Sequence, residues 1–358
     1  MSKEAWFINE SELDDFQIPI IQKKINNSFV VKGCAGSGKT VLALWKAREI
    51  EDTEIGSYYF IVYTKALRQF INDGVDEVGL EHSRVVHYYK WKHNLSKAGA
   101  DYIIIDEVQD FSKDELLEMQ RAANKAFILF GDSAQQIYSG LKDNLMTMEQ
   151  VAFHTQLPME NLVRNHRLKK KIARVAQYLN TDGDNIESRC TQEGQNKPLL
   201  IKTDSQDDQL EKIMEIIDSE GYTDVGILFP DNKHVKYADK FFSNKQFRVE
   251  SKYDISWPDN TKFNLNFHSD NPKLMTYHSA KGLQFEAVFI PYCSSDNITL
   301  KQKKPLYVAM TRTYQDLIVL FSGLLPPFLQ EIPDNLFQKN EEPMGYSQTP
   351  EEEDDLPF

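Results

Sequence analysis

The chain has 358 residues, of which 41% are apolar, which is room for about two ordinary domains. No run of 18 apolar residues exists to span a bilayer, and the acidic opening MSKEAWFINESELDD lacks the apolar centre of a signal peptide, so a cytoplasmic protein is expected. The formal net charge is −13, but seven carboxylates and no cations follow Lys339, so the body carries only −6 and has scope for a basic cleft. Cys34, Cys190 and Cys293 have neither metal-site nor disulfide spacing, as expected in a reducing compartment.

In chain order, apolar runs of strand length alternate with helical patterns. FVVKG (29–33), YYFIVYT (58–64), YIIID (102–106) and AFILFGD (126–132) predict buried parallel strands. TVLALWKAREI (40–50) and KDELLEMQRAA (113–123) predict helices between them. The second half repeats the theme with VGILFP (225–230), KLMTYH (273–278), AVFIPYC (287–293) and LIVLFSG (317–323). The pattern predicts an α/β protein of two parallel-sheet domains, 1–156 and 157–335. An acidic, Pro-containing tail, 336–358, is expected to be disordered. RLKKKIAR (167–174) is a local basic stretch, which also suits a solvated helix face.

GCAGSGKT (33–40) has the spacing of a phosphate-binding loop between a strand and a helix. Gly33, Gly36, Ser37 and Gly38 would let backbone N–H groups wrap phosphate oxygens. Lys39 would reach the β- and γ-phosphates of ATP, and Thr40 would hold Mg²⁺. IIIDEVQD (103–110) delivers Asp106 to the metal shell and Glu107 to the attacking water. LFGDSAQQIY (129–138) places Gln135, a neutral amide suited to sensing a γ-phosphate, after a further strand.

Taken together, GCAGSGKT, YTKALRQFI (63–71), DEVQDF (106–111), GDSAQQIY (131–138), NLVRNHR (161–167), TYHSAKGLQF (276–285) and LYVAMTR (306–312) stand in the order found in superfamily-one helicases. The chain resembles the UvrD/PcrA/Rep type. The resemblance implies two RecA-like domains with ATP in the cleft between them. It implies that Arg167 and Arg312 are arginine fingers and that Gln17, in DDFQIPII, reads adenine. His166 stands where the family stacks a Tyr on the base, and Gln284 stands where it has a ribose-contacting Glu. For nucleic acid the resemblance implies Tyr63 and Thr64, then Trp91 in VVHYYKWK (85–92), then Thr276 and His278. His87 and Tyr89 replace the family's Thr and His in that third segment. A Trp just after a strand also suits a core, and His278 also suits a structural hydrogen bond. About 35 residues separate the second motif from DEVQD, too few for the duplex-contacting insertion of larger relatives. The expectation is a monomeric, minimal motor that walks 3′→5′ on single-stranded DNA in repair, replication or phage defence. An ATP-gated binding module with little unwinding, or an RNA track, fits the same residues.

The chain ends EEEDDLPF. Asp354, Asp355, Leu356, Pro357 and Phe358 resemble the tip of bacterial single-stranded-DNA-binding proteins, which implies docking on the enzymes that recognise that tip. Phe358 would fill an apolar pocket while the carboxylates meet a basic rim. A solubilising tail and an autoinhibitory one are the alternatives. A peptide EEEDDLPF is expected to bind such an enzyme in a fluorescence-anisotropy titration, and the peptide lacking Phe358 is not. Equal binding of the two would leave acidic attraction as the whole effect.

Overall fold

The computed structural model describes residues 13–137, 144–181, 185–256 and 260–338. Asp354 to Phe358, with the rest of the acidic tail, lie outside the described residues. Six strands build the first sheet: β1 (Phe29–Gly33), β2 (Tyr58–Val62), β3 (Val85–His87), β4 (Ala100–Ile105), β5 (Ala123–Gly131) and β6 (Met159–Leu162). They lie in the order β3-β2-β4-β5-β1-β6, all parallel. A small two-stranded sheet follows, β7 (Asn165–Lys169) beside β8 (Cys190–Gln192).

The last sheet comprises β9 (Leu199–Thr203), β10 (Val225–Phe229), β11 (Glu250–Ser256), β12 (Asn260–Phe263), β13 (Lys273–Thr276), β14 (Phe285–Ile290) and β15 (Thr313–Ser322). Its order is β12-β11-β13-β10-β14-β15-β9, parallel except for the β11–β12 pair. The helices are α1 (Ile18–Gln22), α2 (Lys39–Thr53), α3 (Lys65–Val78), α4 (Lys113–Ala122), α5 (Met148–Thr155), α6 (Lys170–Ala176), α7 (Gln206–Glu220), α8 (Asn232–Asn244), α9 (Lys303–Met310) and α10 (Pro327–Gln330). None is long and apolar enough to cross a membrane.

Local chemistry sets the element ends. Ser112 and Glu115 form a capping box at the start of α4, and Thr147 and Gln150 form another at α5. Ser205 and Asp231 cap α7 and α8 through their side chains. Side chains alternate across the strands. Val30, Ile61, Ile103, Ile105 and Leu129 therefore fill one face of the first sheet. Phe29, Val31, Phe60, Ile104, Ile128 and Phe130 fill the other. That second core runs without a break into the second sheet, through Leu228, Met275, Val288, Ile290 and Val319. Ile227, Phe229, Leu274, Phe289 and Ile318 make a separate core on its far side. On the rim, Phe70 of α3 meets Phe267 edge-on at 5.2 Å between ring centroids.

Two expected boundaries are corrected here. β6 hydrogen-bonds to β1, so the first domain runs through Leu162 and not only to 156. The segment MENL has too little apolar character to stand out as a strand, and pairing with β1 decides it. The second sheet is the expected parallel one, and the β11–β12 hairpin adds a single antiparallel edge to it. The ordered chain also passes 336: Gln338 N–H donates to Pro198 O at 2.9 Å and bridges Leu199 on the β9 edge.

α1 has five residues, too short to stand alone. The buried Lys46 of α2 holds it, donating to Ile21 O at 2.7 Å, Lys23 O at 2.6 Å and Glu49 Oε2 at 2.9 Å. Lys46→Met strips two carbonyls of a charged donor and is expected to cost about 1–3 kcal/mol. Urea unfolding of the two proteins measures the difference, and an unchanged midpoint would contradict the assignment.

Candidate nucleotide site

The loop between β1 and α2 is shaped by two left-handed glycines, Gly36 at φ +71° and Gly38 at φ +83°. A Cβ on Gly36 would collide with Asn165 Oδ1, and one on Gly38 would come 2.7 Å from Gln17 Nε2. The loop is therefore clasped from both sides. His166 N–H donates to Gly36 O at 3.0 Å, which ties the loop to β7. Lys39 curls back, its Nζ donating to Gly33 O at 3.0 Å and Cys34 O at 2.9 Å. Ser37 Oγ is buried and has no partner among the described residues.

β4 ends at the carboxylates. Thr40 Oγ1 donates to Asp106 Oδ2 at 2.6 Å, and Glu107 N–H donates to Asp106 Oδ1 at 2.9 Å. Burial, and then the neighbouring Glu107, push the Asp106 carboxyl up to about 6. Glu107 sits at φ +57°, a conformation unfavourable for a residue with a Cβ. Burial pulls its carboxyl up, but Lys281, Lys39 and Arg312 outweigh that and hold it below its ordinary value. Lys281 Nζ lies 3.5 Å from Glu107 Oε2 and donates to Asp110 Oδ1. Gln109 Nε2 donates to Glu107 Oε2 as well. Among the described residues no group of three or more His, Cys, Asp or Glu could hold a metal. One carboxylate and one hydroxyl beside a phosphate loop suit Mg²⁺, which takes few protein ligands and completes its shell with phosphates and water.

The second domain supplies two guanidinium groups. Arg312, just after α9, is buried and donates through Nη2 to Gln135 Oε1 at 2.9 Å and through Nε to Val308 O at 2.9 Å. Gln135 in turn donates to Asp132 Oδ2 at 2.7 Å, so this amide spans the two domains. Arg167 Nη2 reaches Thr311 O at 3.4 Å, while its buried Nε has no partner among the described residues. Burial and the nearby Arg312 push Arg167 down to about 9. The buried Arg312 and the half-buried Arg167, beside a Ser37 hydroxyl with no partner among the described residues, make a site that favours an anion. One cleft is lined by residues 36–41, Glu107, Gln135, Arg167, Gln284 and Arg312.

Gln17 and His166 flank the loop and do not line this cleft. Gln17 Nε2 donates to Ser37 O at 3.0 Å, and its Oε1 accepts from Asp14 N–H at 3.1 Å. His166 Nε2 lies 2.7 Å from Asp14 Oδ2. Asp14 Oδ1 accepts from the N–H groups of Phe16 and Gln17.

The profile of the viral superfamily 1 RNA helicase core domain matches residues 29–221, more than half of the chain. The chain belongs to the superfamily 1 helicases. A UvrD-like helicase C-terminal domain also matches residues 273–320. A search of curated proteins returned no match. Among solved structures, the C-terminal domain of a possible DNA helicase from Lactobacillus plantarum is similar at 20% identity and a TM-score of 0.39, covering 49% of this chain and 99% of that one. The PRRSV helicase is similar at 12% identity and a TM-score of 0.45, covering 85% of this chain. The arterivirus nonstructural protein 10 helicase, in complex with DNA, is similar at 14% identity and a TM-score of 0.43, covering 88%. This chain spans 54% and 65% of the length of those two viral proteins.

In this helicase the residues expected to meet nucleic acid stand at the ends of β2 and β13, with one exception. Tyr63 follows β2 and packs edge-on against Phe111 at 5.3 Å. Thr64 Oγ1 accepts from Leu67 N–H at 3.1 Å and caps α3. Thr276 ends β13, its Oγ1 donating to Ser279 Oγ at 3.1 Å, and His278 follows it half-buried. Trp91 is the exception and is corrected here. Its exposure is 0%, and its Nε1 donates to Ala98 O at 3.0 Å, so the indole is core and has no free face for a base. Lys281, Asp110 and Asp14 were not singled out in the sequence. Lys281 lies inside TYHSAKGLQF, and only the fold shows that it crosses into the first domain.

Lys281→Met leaves Glu107 and Asp110 buried without their shared cation and is expected to cost about 3–5 kcal/mol. Adding Asp110→Asn should return part of that loss. Denaturant unfolding of the two single variants and the double variant measures the coupling, and strictly additive costs would show that the two residues do not interact.

Proposed function

We propose that this helicase is an ATP-dependent translocase on single-stranded DNA, moving 3′→5′ and unwinding short duplexes at most. One observation carries the reading. The P-loop and Glu107 of one domain face Arg167 and Arg312 of the other across a single cleft, and Arg167 Nε and Ser37 Oγ are buried there with no partner among the described residues. A triphosphate would satisfy both.

In this reading the loop N–H groups and Lys39 bind the β- and γ-phosphates, while Thr40 and Asp106 hold Mg²⁺. When bound, the ion neutralises charge on the phosphates. Glu107, kept ionised by Lys281, takes a proton from the attacking water. Arg167 and Arg312 stabilise charge on the transferring phosphoryl group, and Gln135 reports its loss to both domains. Gln17, His166 and Gln284 bound the nucleoside side. Tyr63, Thr64, Thr276 and His278 hold the strand, so closure of the cleft moves it. The direction rests on the QQIY and AKGLQF forms of two motifs. A cytoplasmic role in repair, replication or phage defence follows from the same resemblance.

Single-stranded DNA is expected to stimulate ATP hydrolysis more than blunt duplex, with affinity falling as salt rises. Glu107→Gln should keep ATP binding and lose about 10²-fold in turnover. Single-stranded RNA is the parallel arm, and stronger stimulation by RNA would move the track assignment. Stimulation by no nucleic acid, with ATP still bound, would favour the ATP-gated binding module.

A further inference from the structure

The family resemblance gives Gln17 the task of reading adenine, but the structure engages its amide elsewhere. Adenine presents one acceptor, N7, and one donor, the N6 amino group, so a glutamine reads it with Nε2 and Oε1 together. In Gln17 both atoms are bonded to main chain. Nε2 donates to Ser37 O at 3.0 Å, and Oε1 accepts from Asp14 N–H at 3.1 Å. Only 3% of the residue is exposed. Asp14 sets this arrangement. Its Oδ1 accepts from the N–H groups of Phe16 and Gln17 at 2.8 Å each, and its Oδ2 lies 2.7 Å from His166 Nε2. One carboxylate therefore fixes both the amide expected to read the base and the ring expected to stack on it. The Asp14 side chain is 7% exposed and that of His166 is 37%, so the imidazole is the accessible member of the three. Beside Gln17 in sequence, Phe16 is exposed, and the Arg164 guanidinium lies 5.5 Å from its ring centroid.

We infer that this site does not select adenine. Its substrate class is nucleoside triphosphates in general, with Gln17 a positioning residue of the phosphate loop and Asp14 the group that holds it there. The inference rests on the reading of the cleft as a triphosphate site and names the range of nucleotides that site takes. To read adenine, Gln17 would have to break two hydrogen bonds that brace the loop, a cost that stacking does not incur. The imidazole face of His166, like the Phe16–Arg164 pair, offers a flat surface, and every base has a π-face to lay on one. The hold on the substrate then comes from its triphosphate end. The loop N–H groups, Lys39, Arg167 and Arg312 line that part of the cleft, and all nucleoside triphosphates share that end.

The test uses the full chain with oligothymidylate present and measures phosphate released from ATP, GTP, CTP and UTP. A site that reads a hydrogen-bonding edge rejects the wrong partner by about 10⁴-fold, and one that lacks such contacts discriminates far less. The kcat/KM values for the four nucleotides are expected to agree within about tenfold. Gln17→Ala, which loosens the loop, is expected to raise KM for all four by a common factor with kcat kept. A preference of the parent for ATP above about tenfold overturns the inference, while triphosphate hydrolysis itself stands. A loss in Gln17→Ala confined to ATP, or no change for any nucleotide, overturns it in the same way. Should Gln17→Ala fail to fold, the four nucleotides on the parent decide alone. Hydrolysis of none of the four, with oligothymidylate or with single-stranded RNA, overturns the triphosphate reading of the cleft, and this inference with it.

Discussion

A lysine of the second domain sunk among carboxylates of the first is the constraint on which the cleft depends. Lys281 is wholly buried and pairs with Asp110 and Glu107 across the domain boundary. A charge buried this deeply persists only where its partners are held in place. The domains therefore cannot part at this point without stranding three ionised groups. Arg312 and Gln135 make a second crossing a short way off. The first crossing meets the acidic segment after β4 and the second the segment after β5, and both cations act on Glu107, so the relative position of the domains and the charge state of Glu107 are one electrostatic problem. An anion entering between Arg167 and Arg312 would change that balance at once.

The apolar core supports the same geometry from below. One cluster spans the inner faces of both sheets, from Phe29 and Phe130 to Met275 and Val288. The polar side chains of the cleft stand where strands end and helices begin. That arrangement places side chains from β1, β4, β5 and the segments around β7 and α9 within hydrogen-bond reach without any long loop. It also accounts for the strain at Glu107. A residue at φ +57° at a strand end is tolerated where backbone and neighbours over-determine it, as Asp106, Gln109 and Lys281 do here.

The aromatic rim obeys a different rule. Rings at 63, 88, 89, 91 and 111 form one cluster, yet only Tyr89 among them shows a large exposed face. Which ring faces out is set by the π-helical turn Lys90–Asn94 and by the indole hydrogen bond to Ala98 O. Composition alone makes all five equivalent.

By itself the sequence marked the central strands of both sheets and their alternation with helices, because apolar runs of five or six residues between glycines and caps have few other uses. It also marked the loop whose Gly36 and Gly38 occupy backbone regions that other residues avoid, and it singled out Asp106, Glu107 and Gln135 by residue type and spacing and Arg167 and Arg312 through the family resemblance; the fold brings the last four to one cleft. The end of the first domain at Leu162, the hairpin of β11 and β12, the burial of Trp91 and the placing of Lys281 were decided only by the tertiary structure. Each of these depends on what packs against a residue from far along the chain: β1 for MENL, β13 for the hairpin, Tyr88 and Ala98 for the indole, and β4 for Lys281. Spacing along a sequence reports local geometry well, but burial and charge pairing belong to the assembled fold.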